Sequence, residues 1–471
     1  MNDLEPTGMV PTDMAGAAEI ARAVASGAVS ARAVTEAALA RVTALNTRLN
    51  AFTDLLPARA LAAAEAVDAA RAAGRGSGPL AGVPFAVKNL FDIAGLPTRA
   101  GSLINRGRAP AARDAALVRR MEAAGAILLG GLNMGEYAYD FTGENVHDGA
   151  SRNPHDPSRM TGGSSGGSGG AVASGMVPLA LGSDTNGSIR VPAAFCGLFG
   201  LKPTYGRLSR AGSFPFVSSF DHLGPLARGT RDLALAYDAM QGPDPEDPAQ
   251  APRAPEPVLP ELEKGADGLR IAVAGGHFLR NGDPECFAAV DRVARALGAT
   301  AQIELPEAAR ARAAAFVITA SEGAALHLDR LRVRPGDLDP ATRDRLIAGA
   351  AIPAAWVNRA QRFRRWYRDR VLALFEGTDI ILAPSTPCRA PALGQASILM
   401  DGATLPLRPN IGVFTQPVSF IGLPVCAVPV WVDDGLPLGV QVIAPPWRED
   451  LALRVARVLE RLGVARSRIP S

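Results

Sequence analysis

Lysine is nearly missing from this chain of 471 residues: Lys88, Lys202 and Lys264 are the three, and the other 46 of its 49 basic residues are arginine. Arginine is therefore the default cation. A retained lysine stands out, because an amine can surrender its proton once burial depresses its pKa, whereas a guanidinium cannot. Cysteine is scarce as well. Cys196, Cys286, Cys388 and Cys426 are scattered among apolar or small neighbours, a pattern of buried free thiols in a reducing compartment rather than a disulfide framework or a metal clip. The five histidines (His147, His155, His222, His277 and His327) lack the two-apart or four-apart spacing of a metal site, so neither a metal nor any other cofactor is expected.

No apolar stretch reaches the about 18 residues of a membrane span. Residues Met1 to Pro11 carry Asp3 and Glu5 and no basic or apolar segment, so no signal peptide is expected and the location implied is cytoplasmic. Net charge is only +3, and the arginines are interleaved with alanine and acidic residues, which excludes a nucleic-acid stripe. The densest run, Arg362, Arg364, Arg365, Arg368 and Arg370 beside Phe363, Trp366 and Tyr367, reads as a solvated helix face or a partner surface.

The hydrophobic pattern gives α/β order. Residues 14–75 form an Ala-rich helical segment in which Val34, Ala38, Val42 and Leu45 share a face and Ser30 is placed as an N-cap. A core follows over 80–240, with a strand at Val83 to Lys88, a helix from Asp114 to Ala124 capped by Asp114, and a strand at Ala126 to Gly130. Residues 241–268 are rich in Pro, Asp, Glu and Ala and read as an exposed loop, and 269–377 as a strand followed by a mostly helical excursion. Strands return over 378–445, with an antiparallel hairpin of Val425 to Val432 and Leu438 to Ile443, before a C-terminal helix in 446–471. Strands on both sides of the helical excursion predict one sheet visited twice.

Two serine-glycine clusters remain to be explained. They are Gly162-Gly163-Ser164-Ser165-Gly166-Gly167-Ser168-Gly169-Gly170 and Gly182-Ser183-Asp184-Thr185-Asn186-Gly187-Ser188-Ile189-Arg190, separated by an apolar stretch that holds both inside a globular body. Such residues bring little apolar surface and lose much backbone entropy, so something other than stability favours them. No lysine follows the first run as a phosphate loop requires, and no third glycine completes a dinucleotide fingerprint. Gly163-Ser164-Ser165-Gly166-Gly167 matches a nucleophile elbow, but the polar, turn-like Asn153 to Met160 supplies no strand before it. What fits is a serine activated without histidine: a neutral Lys88 amine drawing a proton through one serine of the first cluster from Ser188, with glycine-freed amides facing the oxyanion.

Val87-Lys88, the first cluster, and Gly182 to Pro192 together resemble the amidase signature family, in order and in spacing. The resemblance runs from about residue 14 to 460 and implies one large α/β/α domain, a mixed central sheet flanked by helices. It further implies Ser188 as acyl-forming nucleophile, Ser164 as a bridge in a non-proline cis peptide, Lys88 as base, and the amides of Thr185, Asn186, Gly187 and Ser188 as oxyanion hole. Asp184 and Arg190 are expected to hold that loop in shape.

Two positions depart from the commoner family pattern: Asn186 stands for Gly and Asn89 for Asp. Asn tolerates positive φ, so it could keep the loop conformation, narrow the pocket or bond substrate. The Asp-Thr-Asn-Gly-Ser variant, with Gly206 to Arg210 and Phe214-Pro215-Phe216, looks most like the carboxybiuret hydrolase branch. This implies an amidohydrolase of a small amide or carboxylated ureide that releases ammonia, with a small helical partner subunit or a homo-oligomer. An oxalurate or oxamate amidase, the amidase subunit of a tRNA-dependent amidotransferase, and a non-catalytic scaffold are the alternatives.

Overall fold

The computed structural model describes residues 15–76 and 78–470; the expectations for Met1 to Pro11 and for the start of the first segment at residue 14 lie outside them. In chain order the strands are β1 (Phe52–Leu55), β2 (Pro84–Lys88), β3 (Ile127–Leu132), β4 (Arg152–Asn153), β5 (Asp156–Met160), β6 (Leu179–Asp184), β7 (Phe199–Lys202) and β8 (His222–Ala227). After these come β9 (Ile271–Ala274), β10 (Ala301–Ile303), β11 (Ile380–Pro384), β12 (Ser397–Met400), β13 (Ala403–Pro406), β14 (Val425–Val430) and β15 (Leu438–Ile443).

Eleven of them form one sheet in the order β1-β3-β2-β6-β8-β7-β14-β15-β11-β9-β10, while β4-β5 and β12-β13 are separate pairs. The sheet is mixed: β2 runs parallel to β3 and β6, and β9 to β10 and β11, whereas β6-β8, β7-β14 and β14-β15 are antiparallel. The chain therefore enters the sheet, leaves it through the long helices Ala308–Val333, Pro340–Ala350 and Ala354–Leu374, and returns, as the pattern predicts. The central strands are buried on both faces, which matches their continuous apolar runs. Helices Gly166–Ala173 and Arg190–Cys196 pack on one another and on the sheet, as do Thr230–Met240 and Glu449–Arg461. Among the described residues, no helix is long and apolar enough to cross a membrane.

Several local expectations need correction. Ser30 does cap the Ala31–Leu49 helix, its Oγ accepting from Ala33 N at 3.0 Å. Asp114 caps nothing, because the helix begins at Ala116 and the Asp114 carboxylate accepts from Arg59 and from Ala94 N instead. The stretch before the first glycine cluster is not merely turn-like: it folds into the β4-β5 pair. Residues 241–268 are mostly irregular but not wholly exposed, since Asp247, Val258 and Leu262 are buried.

Candidate active site

Lys88 ends β2, an interior strand third from one edge of the sheet, between two parallel neighbours, and is fully buried. Its Nζ lies 2.6 Å from Ser164 Oγ and 2.8 Å from Ser183 Oγ. Both partners are hydroxyls, which can donate as well as accept, so the contacts admit a neutral amine. Burial pulls the Lys88 pKa down to about 7, against the opposing pull of Asp184, Asp221 and Asp140. An amine so placed can be neutral near pH 7, the state a general base requires.

Ser164 follows a cis Gly163–Ser164 peptide, the bond the family resemblance implies. Gly163 N donates to Phe141 O at 2.8 Å, and Gly135 N to Ser164 O at 3.1 Å, which fixes both sides of that bond. The other serines of the cluster have different work. Ser165 Oγ donates to Ser183 O at 3.2 Å and accepts from Ser183 N at 3.3 Å, and Ser168 Oγ donates to Leu181 O at 3.1 Å. They staple the Gly166–Ala173 helix to β6, so the elbow reading of Ser165 has no exposed hydroxyl to use. The glycines of that helix serve close approach: a Cβ on Gly167 would sit 2.4 Å from Ala51 O.

Beyond β6 the chain turns through Thr185-Asn186-Gly187-Ser188 into the Arg190–Cys196 helix. The backbone amides of these four residues donate to no acceptor among the described residues. Consecutive unbonded amides form a concavity for an anion. Two bonds aim them: Thr185 Oγ1 donates to Asp221 Oδ1 at 2.6 Å, and Thr415 Oγ1 donates to Asn186 O at 2.6 Å. Because a trans peptide holds its C=O and N–H on opposite sides, anchoring Asn186 O turns the Gly187 N–H away from Thr415. Glycine is required at 187, where φ is +143° and a Cβ would lie 2.3 Å from Thr415 Oγ1.

Asn186 itself does not have positive φ. The conformational explanation for an asparagine at this position is therefore wrong, since the unusual backbone angle falls on Gly187. Asn89, the other departure, uses both ends of its amide, accepting from Gly101 N at 2.9 Å and donating to Thr53 Oγ1 at 3.1 Å.

Behind the loop, Asp184 and Arg190 form a fully buried pair, Nε to Oδ2 at 3.0 Å and Nη2 to Oδ1 at 2.9 Å. Burial alone would raise the Asp184 pKa, but the Arg190 guanidinium outweighs it and holds the carboxyl well below the usual range. Arg190 also donates to Gln441 Oε1 at 2.6 Å, to Thr415 O at 3.1 Å and to Ser419 Oγ.

The described residues also bring together groups that sequence reasoning did not single out. A narrow pocket exposes Ser188 beside Asn186, Tyr139, Phe216, Thr319 and Arg345. Tyr137 and Ala138, consecutive non-glycine residues with φ of +50° and +60°, lead into its wall. The Arg345 guanidinium stacks 3.8 Å above the Tyr139 ring, with Nε donating to Ala341 O at 2.7 Å and Nη2 to Tyr139 O. Its Nη1 has no partner among the described residues. Neither Arg345 nor Thr319 carries a local sequence signal, since both sit on helices far along the chain.

With this geometry in place, the comparisons with known proteins are decisive. The family model described as Amidase matches residues 33–453. The chain belongs to the amidase family. It is accordingly an amidase, a hydrolase of amide C–N bonds. It is 58% identical over 450 residues to AtzE, a subunit of the 1-carboxybiuret hydrolase of Pseudomonas sp. (strain ADP), covering 95% of this chain and 98% of that one. It is 38% identical over 467 residues to the A subunit of the glutamyl-tRNA(Gln) amidotransferase of Chloroflexus aurantiacus (strain ATCC 29366 / DSM 635 / J-10-fl), covering 93% and 95%. A solved structure described as a vestigial protein complex revealing the evolutionary origins of an s-triazine catabolic enzyme superimposes with a TM-score of 0.95 at 57% identity, over 96% of this chain and 100% of that one. A 6-aminohexanoate cyclic dimer hydrolase complexed with substrate superimposes with a TM-score of 0.85 at 30% identity, over 98% and 100%.

Proposed function

We propose that this amidase hydrolyses a small carboxylated ureide through an acyl-enzyme on Ser188. The observation that carries the reading is the buried Lys88 amine 2.6 Å from the Ser164 hydroxyl and 2.8 Å from that of Ser183, on the strand β6 that leads directly into the four unbonded amides around Ser188. Neutral Lys88 takes the proton of Ser164 as Ser164 takes that of Ser188, and Ser188 Oγ attacks the carbonyl carbon. The amides of Thr185, Asn186, Gly187 and Ser188 receive the negative oxygen. The proton returns through Ser164 to the leaving nitrogen, which departs as ammonia as the C–N bond breaks. Water then attacks the acyl-enzyme by the same relay and regenerates Ser188.

Arg345 supports an anionic substrate, because a guanidinium with an unused Nη1 in the pocket wall is suited to a carboxylate. The likeness to the 1-carboxybiuret hydrolase points the same way. Ammonia release from 1-carboxybiuret, oxalurate, oxamate and glutamine tests the reading: turnover of 1-carboxybiuret is expected to exceed that of the others. Preference for glutamine would assign the chain instead to ammonia supply for an amidotransferase.

A small helical partner subunit belongs to the same proposal, supported by one relative that is named as a subunit, and by a solved relative described as a complex. So does a cytoplasmic location, supported by four free, buried cysteines.

A further inference from the structure

We propose that the Asn186 carboxamide reads the acyl side of the substrate, accepting an N–H that a ureide has there and a simple amide lacks. The inference rests on Ser188 as the nucleophile. Asn186 is two residues from Ser188, buried, and lines the same pocket. Its backbone angle needs neither Gly nor Asn, so the side chain must account for the residue. One end of that side chain is anchored, with Nδ2 donating to Thr319 Oγ1 at 3.0 Å. The other end, Oδ1, is buried and has no hydrogen-bond partner among the described residues.

A buried acceptor left unpaired is costly, and native structures keep few of them. The donor it needs must come from whatever occupies the pocket. A carbonyl group held against the amides of residues 185–188 places its acyl-side substituent next to the loop that carries Asn186. In a ureide that substituent is N–H, whereas in an aliphatic amide it is CH₂. The first satisfies Oδ1 and the second leaves it unpaired, and a site built to bond an N–H discriminates against the analogue without it. Thr319 is the positioning residue, since its hydroxyl holds the carboxamide in the orientation that presents Oδ1.

The test compares kcat/KM for a carboxylated ureide and for its isostere with CH₂ in place of the acyl-side N–H. The wild type is expected to favour the ureide by about tenfold or more. In Asn186→Gly and Asn186→Leu the ratio should fall to within about threefold of unity, while a fluorophosphonate still labels Ser188. Thr319→Val, which keeps Asn186 but frees its carboxamide, should lower the ratio to an intermediate value. A ratio unchanged within twofold in Thr319→Val and in whichever Asn186 variants still label overturns the inference. Absence of labelling at Ser188 in the wild type overturns the underlying nucleophile assignment instead.

Discussion

Arg190 grips Asp184 through both carboxylate oxygens, and neither side chain is exposed to solvent. The pair lies between β6 and the helix that follows Ser188, so it shapes the loop that carries the unbonded amides. Removing one partner leaves an uncompensated buried charge, a change that costs about 3–5 kcal/mol. Arg190→Met should therefore lower the unfolding free energy by about that amount in denaturant titration, with loss of activity.

The same pair sets an acid limit. Asp184 has its pKa lowered in the folded protein, so its stabilisation is complete above the unfolded carboxylate pKa of about 3.9 and is lost as pH falls below it. Urea unfolding at a series of pH values should show a steeper loss below about pH 4 in the wild type than in Asp184→Asn.

In the proposed relay Lys88 acts when neutral, so kcat/KM should rise with pH through a midpoint near its value of about 7. Lys88→Arg keeps the charge but supplies no base at neutral pH, and should be as inactive as Lys88→Ala. Substantial turnover by the arginine variant would reduce Lys88 to a structural role.

The serines divide by their partners. Ser188→Ala should abolish turnover and adduct formation while leaving the thermal midpoint nearly unchanged, since it removes one hydroxyl and no packed apolar group. Ser168→Ala should do the reverse. It loses the bond to Leu181 O and about 1 kcal/mol of stability, and keeps the Ser188 adduct in intact-mass spectrometry.

Lys202, the second fully buried lysine, provides a contrast. Its Nζ faces acceptors alone: Leu423 O, Pro203 O at 3.3 Å and His222 Nε2 at 3.4 Å. Burial pulls the Lys202 pKa down to about 7, as it does that of Lys88, but His222 Nδ1 faces the carbonyls of Asp184 and Phe220 and so carries the ring proton, which leaves Lys202 three acceptors that only an ammonium satisfies together. Lys202→Met should thus destabilise by about 1–3 kcal/mol without moving the midpoint of the kcat/KM pH profile. A shifted midpoint would show that Lys202 titrates with the reaction.

Much of this was legible in the sequence because the signals were local. The residues of β2, β3, β11 and the β14-β15 hairpin stand out as apolar runs, and Lys88, Ser164 and Ser188 through their motifs. β8 escaped notice because Gly224 and Pro225 sit inside it, where a proline argues against a strand. Short, partly exposed β10 and the Pro340–Ala350 helix carry weak apolar patterns. Ser183 was within view but unremarked: its contact with Lys88 depends on the pairing of β2 with β6, across 95 residues. Asn186 stood out as a departure that could keep the loop conformation, narrow the pocket or bond substrate; its backbone angle removes the first of these, and its bond to Thr319 and the idle Oδ1 leave the side chain to explain.

The supports of the loop of residues 185–188 come from far along the chain. Thr415 holds Asn186 O, and Thr415, Ser419 and Gln441 receive Arg190. β14 and β15 also fill the centre of the sheet, between β7 and β11. During synthesis, a ribosome that has passed residue 400 has already delivered Lys88, Ser164 and Ser188, yet the nascent chain lacks the parts that hold their loop. Competence for hydrolysis therefore arrives late and all together, and a product of premature termination near that point carries the whole motif as inert sequence.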